Sequence, residues 1–265
     1  MRVAQRAATT AAAIELYGID APEAIGAHGW GHDYLHAFSE TIAGGTAERQ
    51  RHGFVLLPGF PMLALGAALD VLAAANEALE APVHEAVMLS VDGQAVLPAL
   101  GPRLPVLQAA AQASSALTSI WIVGGPDLPQ PARDAAVAAL LPWLHERAAQ
   151  GAMLGGIGTG AALLAQAGVL DGHRATLPWA HVAQMSAEHP AVVWSSNLYE
   201  IDRRRVCSAG DSATLDAFIA WLGQQHGDKL VQALLGHFGL ERLRSADERQ
   251  AAPLAARIGT TSSKR

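Results

Sequence analysis

The stretch from Ala152 to Gly168 constrains the fold more than any other part of the chain. A short apolar run, Ala152-Met153-Leu154, enters Gly155-Gly156-Ile157-Gly158-Thr159-Gly160, and an Ala/Leu segment from Ala161 to Ala167 stops at Gly168. Apolar run, glycine turn and helix former, in that order, predict a buried strand that turns sharply into a helix. Such a turn points backbone N–H groups at the space above a sheet, where an anion or an oxyanion can be held. A single strand and helix cannot bury themselves, so the rest of the chain must supply neighbouring strands and covering helices.

It does so from His52 onward. Phe54-Val55-Leu56-Leu57 reads as a strand, Pro58-Gly59-Phe60 as a turn, and 62–79 as a helix. Glu85–Ser90 reads as the next strand, and Asp92-Gly93 after it predicts a β-hairpin. Ser119–Val123 is a strand stopped by Gly124-Gly125-Pro126, and 132–149 follows as a helix that Pro142 is expected to kink. Beyond the glycine turn come strands near 174–176, 192–194 and 205–207, and helices over 180–188, 212–226 and 228–239. The alternation predicts an α/β three-layer sandwich with a mostly parallel sheet. Residues 1–50 differ in texture, Ala-rich and then Gly/His/Trp-rich, and read as an N-terminal extension. Residues 51–244 read as the domain, and 245–265 as a short polar tail.

Composition narrows the function. Eighteen Lys and Arg against 24 Asp and Glu give a net charge of −6, which repels nucleic-acid phosphates. Cys207 is the only cysteine, so neither an intramolecular disulfide nor a multi-cysteine metal motif can form, and a reducing cytoplasm fits. The start lacks the apolar core of a secretory signal, and no run reaches the ~20 apolar residues of a membrane span. His28, His32 and His36 recur at the spacing of one helix face beside Asp33, but Gly29 and Gly31 disfavour that helix, and no metal is expected. Cys207 follows Arg203-Arg204-Arg205, charges that would lower a thiol pKa if they were close, but side chains alternate along a strand, and the thiol reads as buried and inert.

The glycine turn itself admits three readings. Gly156-x-Gly158-x-x-Ala161 has the spacing of a dinucleotide fingerprint, but no acid stands about 20 residues on to hold a ribose. As a nucleophile elbow the turn would have Gly158 at its apex, and glycine carries no nucleophile. Thr159 and Ser208 are the nearest substitutes, neither with a recognisable base. Third, the glycines serve only close packing of helix on strand.

Taken in order, a set of stretches resembles the amino-terminal domain of AraC-family transcription regulators, GlxA-like, built on a PfpI-like, class I glutamine amidotransferase-like fold. These are Phe54–Phe60, Ala68–Asn76, Ile122–Gly125, Gly155–Gly160, Leu163–Gly172, Ala175-Thr176, Trp179, Ser208-Ala209-Gly210 and Leu215-Asp216. The resemblance implies a flavodoxin-like sandwich. It also implies two departures: the elbow that often carries Cys has Gly158, and the motif that usually reads Ala-Thr-x-His-Trp has Pro178 in the place of the histidine. Loss of nucleophile and base together argues for a pseudoenzyme. The alternative is a PfpI-like hydrolase, protease or glyoxalase-type enzyme with a non-standard nucleophile. In such regulators a helix-turn-helix domain follows a stretch like Phe238–Thr260, so 245–265 is expected to be the remnant of a linker to a DNA-binding module that this chain lacks. The resemblance places a ligand site at Asp70, Asn76, Gly125, Pro126, Gly158, Thr159 and Trp179, with Asp211 and Ser212 at its rim or capping the next helix. The implied ligand is a betaine, carnitine, choline or amino-acid-like compound, with no cofactor, and a homodimer is expected by analogy.

Overall fold

The computed structural model describes residues 49–113, 117–131 and 134–251. Within them β1 (Gln50–Leu56) leads into α1 (Met62–Ala78), and β2 (His84–Ser90) into β3 (Gln108–Ala109). Next come β4 (Ser119–Val123), α2 (Ala135–Ala149), β5 (Met153–Ile157) and α3 (Gly160–Gln166). The remainder is β6 (Arg174–Thr176), α4 (Trp179–Glu188), β7 (Val193–Ser195), β8 (Tyr199–Asp202), β9 (Arg205–Ser208), α5 (Ala213–His226) and α6 (Asp228–His237). The main sheet has the order β3-β2-β1-β4-β5-β9-β8, all parallel except the β8–β9 edge, and β6 pairs β7 apart from it.

Strand alternation sorts the core into two faces. Val55, Ile120, Ile122, Leu154 and Cys207 point to the side covered by α2 and α3, where Leu140, Leu144, Leu163 and Leu164 meet them. Phe54, Leu56, Trp121, Val123, Ile157 and Val206 point to the other side, under α1, α5 and α6. The apolar stripes of α5 and α6 are thus used inside the domain: Phe218 lies 4.2 Å from Trp121 between ring centroids, and Leu230 and Leu234 join the same cluster.

The predicted strands and helices hold, with one correction. Asp92-Gly93 makes a tight turn, with Gly93 at φ +82° and Ser90 Oγ accepting its N–H, but no hairpin follows. Pro98, Pro102 and Pro105 remove the donors a return strand would need. The chain instead closes a small loop through the Val96–Leu104 bridge and then pairs with β2 in parallel as β3. Helix α2 runs on through Pro142, capped by the Asp134 carboxylate, which accepts the N–H groups of Ala136 and Val137. The Arg203-Arg204 turn closes the β8–β9 hairpin, and β8 itself had no clear strand pattern. The His28/His32/His36 group and most of the two terminal segments lie outside the described residues.

At the amino ends of β1 and β2 sits a line of buried polar groups. Trp121 Nε1 donates to Ser119 Oγ at 2.9 Å, Ser119 Oγ is 2.7 Å from His52 Nδ1, and His52 Nε2 is 3.0 Å from His84 Nδ1. The His226 ring stands edge-on to His84. Burial, and then repulsion from His84, pushes His52 down to about 3; burial, and then His226, pushes His84 down to about 4. Unfolded imidazoles take up a proton near 6.5 while the native pair stays neutral, so the unfolded chain binds more protons as pH falls. Chemical denaturation should show the folding constant dropping between pH 6.5 and about 4, by up to about tenfold per pH unit for each imidazole. The slope should shrink by about one proton in His84→Gln; a flat profile in the wild type would contradict the arrangement.

Candidate functional site

Each glycine of the turn after β5 has its own reason. A Cβ on Gly155 would lie 2.0 Å from the Trp121 ring, and one on Gly156 would lie 2.5 Å from Ala161 Cα. Gly155 therefore admits the indole on one face of the sheet, and Gly156 admits α3 on the other. A Cβ on Gly160 would meet the Ile122 carbonyl oxygen at 2.0 Å, and one on Gly124 would meet Gly160 N at 2.2 Å, so α3 starts in contact with the end of β4. Gly158 alone is needed for its backbone: φ is +61°, and a Cβ there would meet only Gly124 O, at 3.6 Å. The apex thus keeps the left-handed geometry of an elbow, with room for a side chain and none present.

Around the apex the loops after β1, β4, β5 and β9 converge at the carboxyl ends of the strands, where open α/β sheets hold ligands. Thr159, fully buried, donates its hydroxyl to Gly125 O at 2.8 Å. Gly125 is packed against the Pro58 and Gly59 carbonyls, Gly59 against Pro126, and Gly210 against Gly158 Cα. Gly158 N donates to Ser208 O at 3.0 Å, so the apex amide already serves β9. Asp211, at φ +45°, is exposed next to Gly210. His181, on α4, puts Nε2 3.1 Å from Pro126 O, and Trp179 at the start of α4 is 38% exposed.

Of the residues predicted for the site, the structure brings Gly125, Pro126, Gly158 and Thr159 together, with Trp179 on the helix that His181 ties to Pro126. It does not bring Asp70 and Asn76 there. Asp70 faces solvent, roughly 12 Å along α1 from Met62 at 1.5 Å per residue. Asn76 is a clasp: its amide donates to His84 O at 2.7 Å and accepts His84 N–H at 2.8 Å, at the opposite end of the sheet from the apex. Helix α1 runs back against the strands, so residues late in it sit below the sheet's carboxyl edge. His181 and Gln250, which contacts Thr176 and Trp179, were missed, because a lone His in a helix and a Gln in a polar tail carry no local signal.

The chemistry available is limited. Ser208 Oγ pairs with Thr214 Oγ1 at 3.2 Å, and Thr159 with a carbonyl; among the described residues neither hydroxyl bonds to an imidazole or a carboxylate. Cys207 is fully buried, and burial pushes its thiol up to about 12. Among the described residues no three His, Cys, Asp or Glu side chains are arranged to hold a metal ion.

This fold and elbow match a known family model, described as the DJ-1/PfpI family, over residues 63–222. The chain belongs to the DJ-1/PfpI family. It is 34% identical over 211 residues to the HTH-type transcriptional regulator CdhR of Pseudomonas aeruginosa, covering 80% of this chain and 61% of that protein. To the HTH-type transcriptional regulator GbdR of the same species it is 31% identical over 228 residues, covering 84% of this chain and 61% of that protein. The chain thus spans about three-fifths of the length of these relatives. A crystal structure of an AraC family transcriptional regulator from Pseudomonas putida superposes with TM-score 0.64 at 29% identity, covering 71% of this chain and 99% of that one. A ThiJ/PfpI family protein from Pseudomonas syringae reaches 0.66 at 17% identity, covering 90% of this chain and 92% of that one, and shows the shared flavodoxin-like fold.

The glycine roles predict unequal tolerance. Gly158→Ala should lower stability by about 1 kcal/mol, the cost of a side chain at positive φ. Gly160→Ala, which drives a methyl into a backbone carbonyl, should cost about 3 kcal/mol or leave the protein insoluble. Urea denaturation of the two variants compares them.

Proposed function

We propose that this chain is the non-catalytic, small-molecule-sensing domain of an AraC-type transcription regulator, acting in the cytoplasm as a homodimer. The observation that carries the reading is the elbow: a family position that can bear a nucleophile holds Gly158 at φ +61°, with no hydroxyl–imidazole pair among the described residues around it. Geometry for holding a ligand remains while the means of forming a covalent intermediate does not. The similarity to transcriptional regulators supports the same reading. A net charge of −6 disfavours DNA contact by these residues themselves.

The ligand site of this reading is formed by Gly125, Pro126, Gly158, Thr159 and Trp179, with Asp211 at its rim. A partly exposed indole and an exposed carboxylate suit a small cation or zwitterion, such as a betaine, choline, carnitine or an amino acid. Asp70 and Asn76 are left out of it on their positions.

A thermal-shift screen of the full chain against glycine betaine, choline, carnitine and arginine tests it. One of them, at about 100 times its Kd, should stabilise the fold by roughly 2.7 kcal/mol, a rise of several degrees in Tm. Trp179→Ala should abolish that rise and leave the ligand-free Tm within about 2 °C. Amide or ester hydrolysis, or methylglyoxal conversion, that disappears in Thr159→Ala or Ser208→Ala would overturn the non-catalytic reading.

A further inference from the structure

Helix α4, which carries Trp179, starts without a cap of its own. Its N-cap residue is Pro178, which offers no side-chain hydrogen bond, and the first N–H groups of any helix have no acceptor within it. The acceptor comes from 71 residues away: Gln250 Oε1 takes the Trp179 N–H at 2.8 Å. The same amide's Nε2 donates to Leu177 O at 2.9 Å and Asn197 O at 3.1 Å, and stands 3.3 Å from Thr176 Oγ1. Thr176 Oγ1 in turn donates to Asn197 O at 2.8 Å. One side chain therefore joins the β6–α4 turn, the segment after β7 and the far end of the described chain.

The strap that brings Gln250 there is held in two places. Upstream, the Arg244 guanidinium pairs with the buried Asp216 carboxylate on α5, and Tyr199 Oη donates to Arg244 O. Downstream, residues 248–250 lie against 196–198: Leu198 N donates to Glu248 O, Asn197 bridges Arg249, and Gln250 N donates to Ser196 O. The first anchor fixes the strap to the domain whatever α4 does. The second is backbone pairing with 196–198, and it meets the Thr176–Trp179 turn only through the Gln250 side chain.

From this geometry we propose that Gln250 is a positioning residue. It caps α4 from the strap, sets where Trp179 stands, and makes the strap respond to what binds against Trp179. The last clause rests on the ligand site proposed above; the capping does not. A ligand that shifts the first turn of α4 changes the fit of the Gln250 amide, and reciprocity requires that release of the strap change the affinity for that ligand by the same factor.

Two rates read the device in the full chain: hydrogen exchange at the Trp179 amide, and trypsin cleavage after Arg249, an exposed arginine at the strap's second anchor. In Gln250→Ala both should rise by about tenfold, while amides of β1 and β4 keep their protection, which separates local release from global loss of stability. Thr176→Val should raise both as well, and the double variant should add less than about twofold to either single change, because both act on one junction. Rates in Gln250→Ala within about twofold of wild type, or effects that multiply independently, would overturn the capping role. Glycine betaine is then added at a concentration that raises the wild-type Tm. It should change cleavage after Arg249 by at least about threefold in the wild type and leave Gln250→Ala unmoved. A raised Tm with unchanged cleavage overturns the relay. No rise in Tm with betaine, choline, carnitine or arginine counts against the ligand reading alone, and the capping role is decided by the first two rates.

Discussion

The close approach of β4, β5 and α3 is the contact on which the rest of the structure depends. Three surfaces meet there with no side chain between them: the Trp121 ring over Gly155, the start of α3 against Gly156, and the Ile122 carbonyl beside Gly160. The indole of Trp121 anchors the aromatic cluster with Phe54, Phe218 and Trp221 under α1 and α5. On the opposite face α3 is buried from Gly160 to Ala165. Because a rigid ring and backbone atoms make these contacts, the apex at Gly158 is held in one place, and the loops after β1, β4 and β9 are positioned against it.

The two ends of the sheet have been put to different uses. At the amino ends of β1 and β2, His52, Ser119, His84 and the Asn76 clasp form a buried polar line whose neutrality is enforced by burial. At the carboxyl ends, glycines, prolines and one exposed tryptophan leave backbone groups near the surface. The first arrangement ties strands together at the cost of acid tolerance; the second gathers the loops that follow β1, β4, β5 and β9 around the elbow. Glycine at the elbow apex takes the left-handed turn at little conformational cost and offers no reactive side chain there.

Much of this was legible in the residues. The strand–glycine–helix order, the apolar runs of β1, β4 and β5 and the long Ala/Leu helices carry local periodicity, and their placement follows. The Asp92-Gly93 turn misled because turn chemistry specifies a reversal and not the partner; three prolines and the free edge of β2 decided that. Asp70 and Asn76 lie in a stretch that matches the family, yet a helix packed antiparallel to its strand carries successive residues away from the strand's carboxyl end.

Sequence alone determined the layered α/β class, the glycine elbow and the absence of a cysteine at its apex, because each is written in period, size or residue type over a few neighbouring positions. Tertiary structure alone decided which residues surround the elbow, that His181 reaches Pro126, and that a glutamine in a polar tail caps a helix 71 residues earlier. Those depend on distances between segments far apart in the chain, and no local pattern encodes where two such segments will meet.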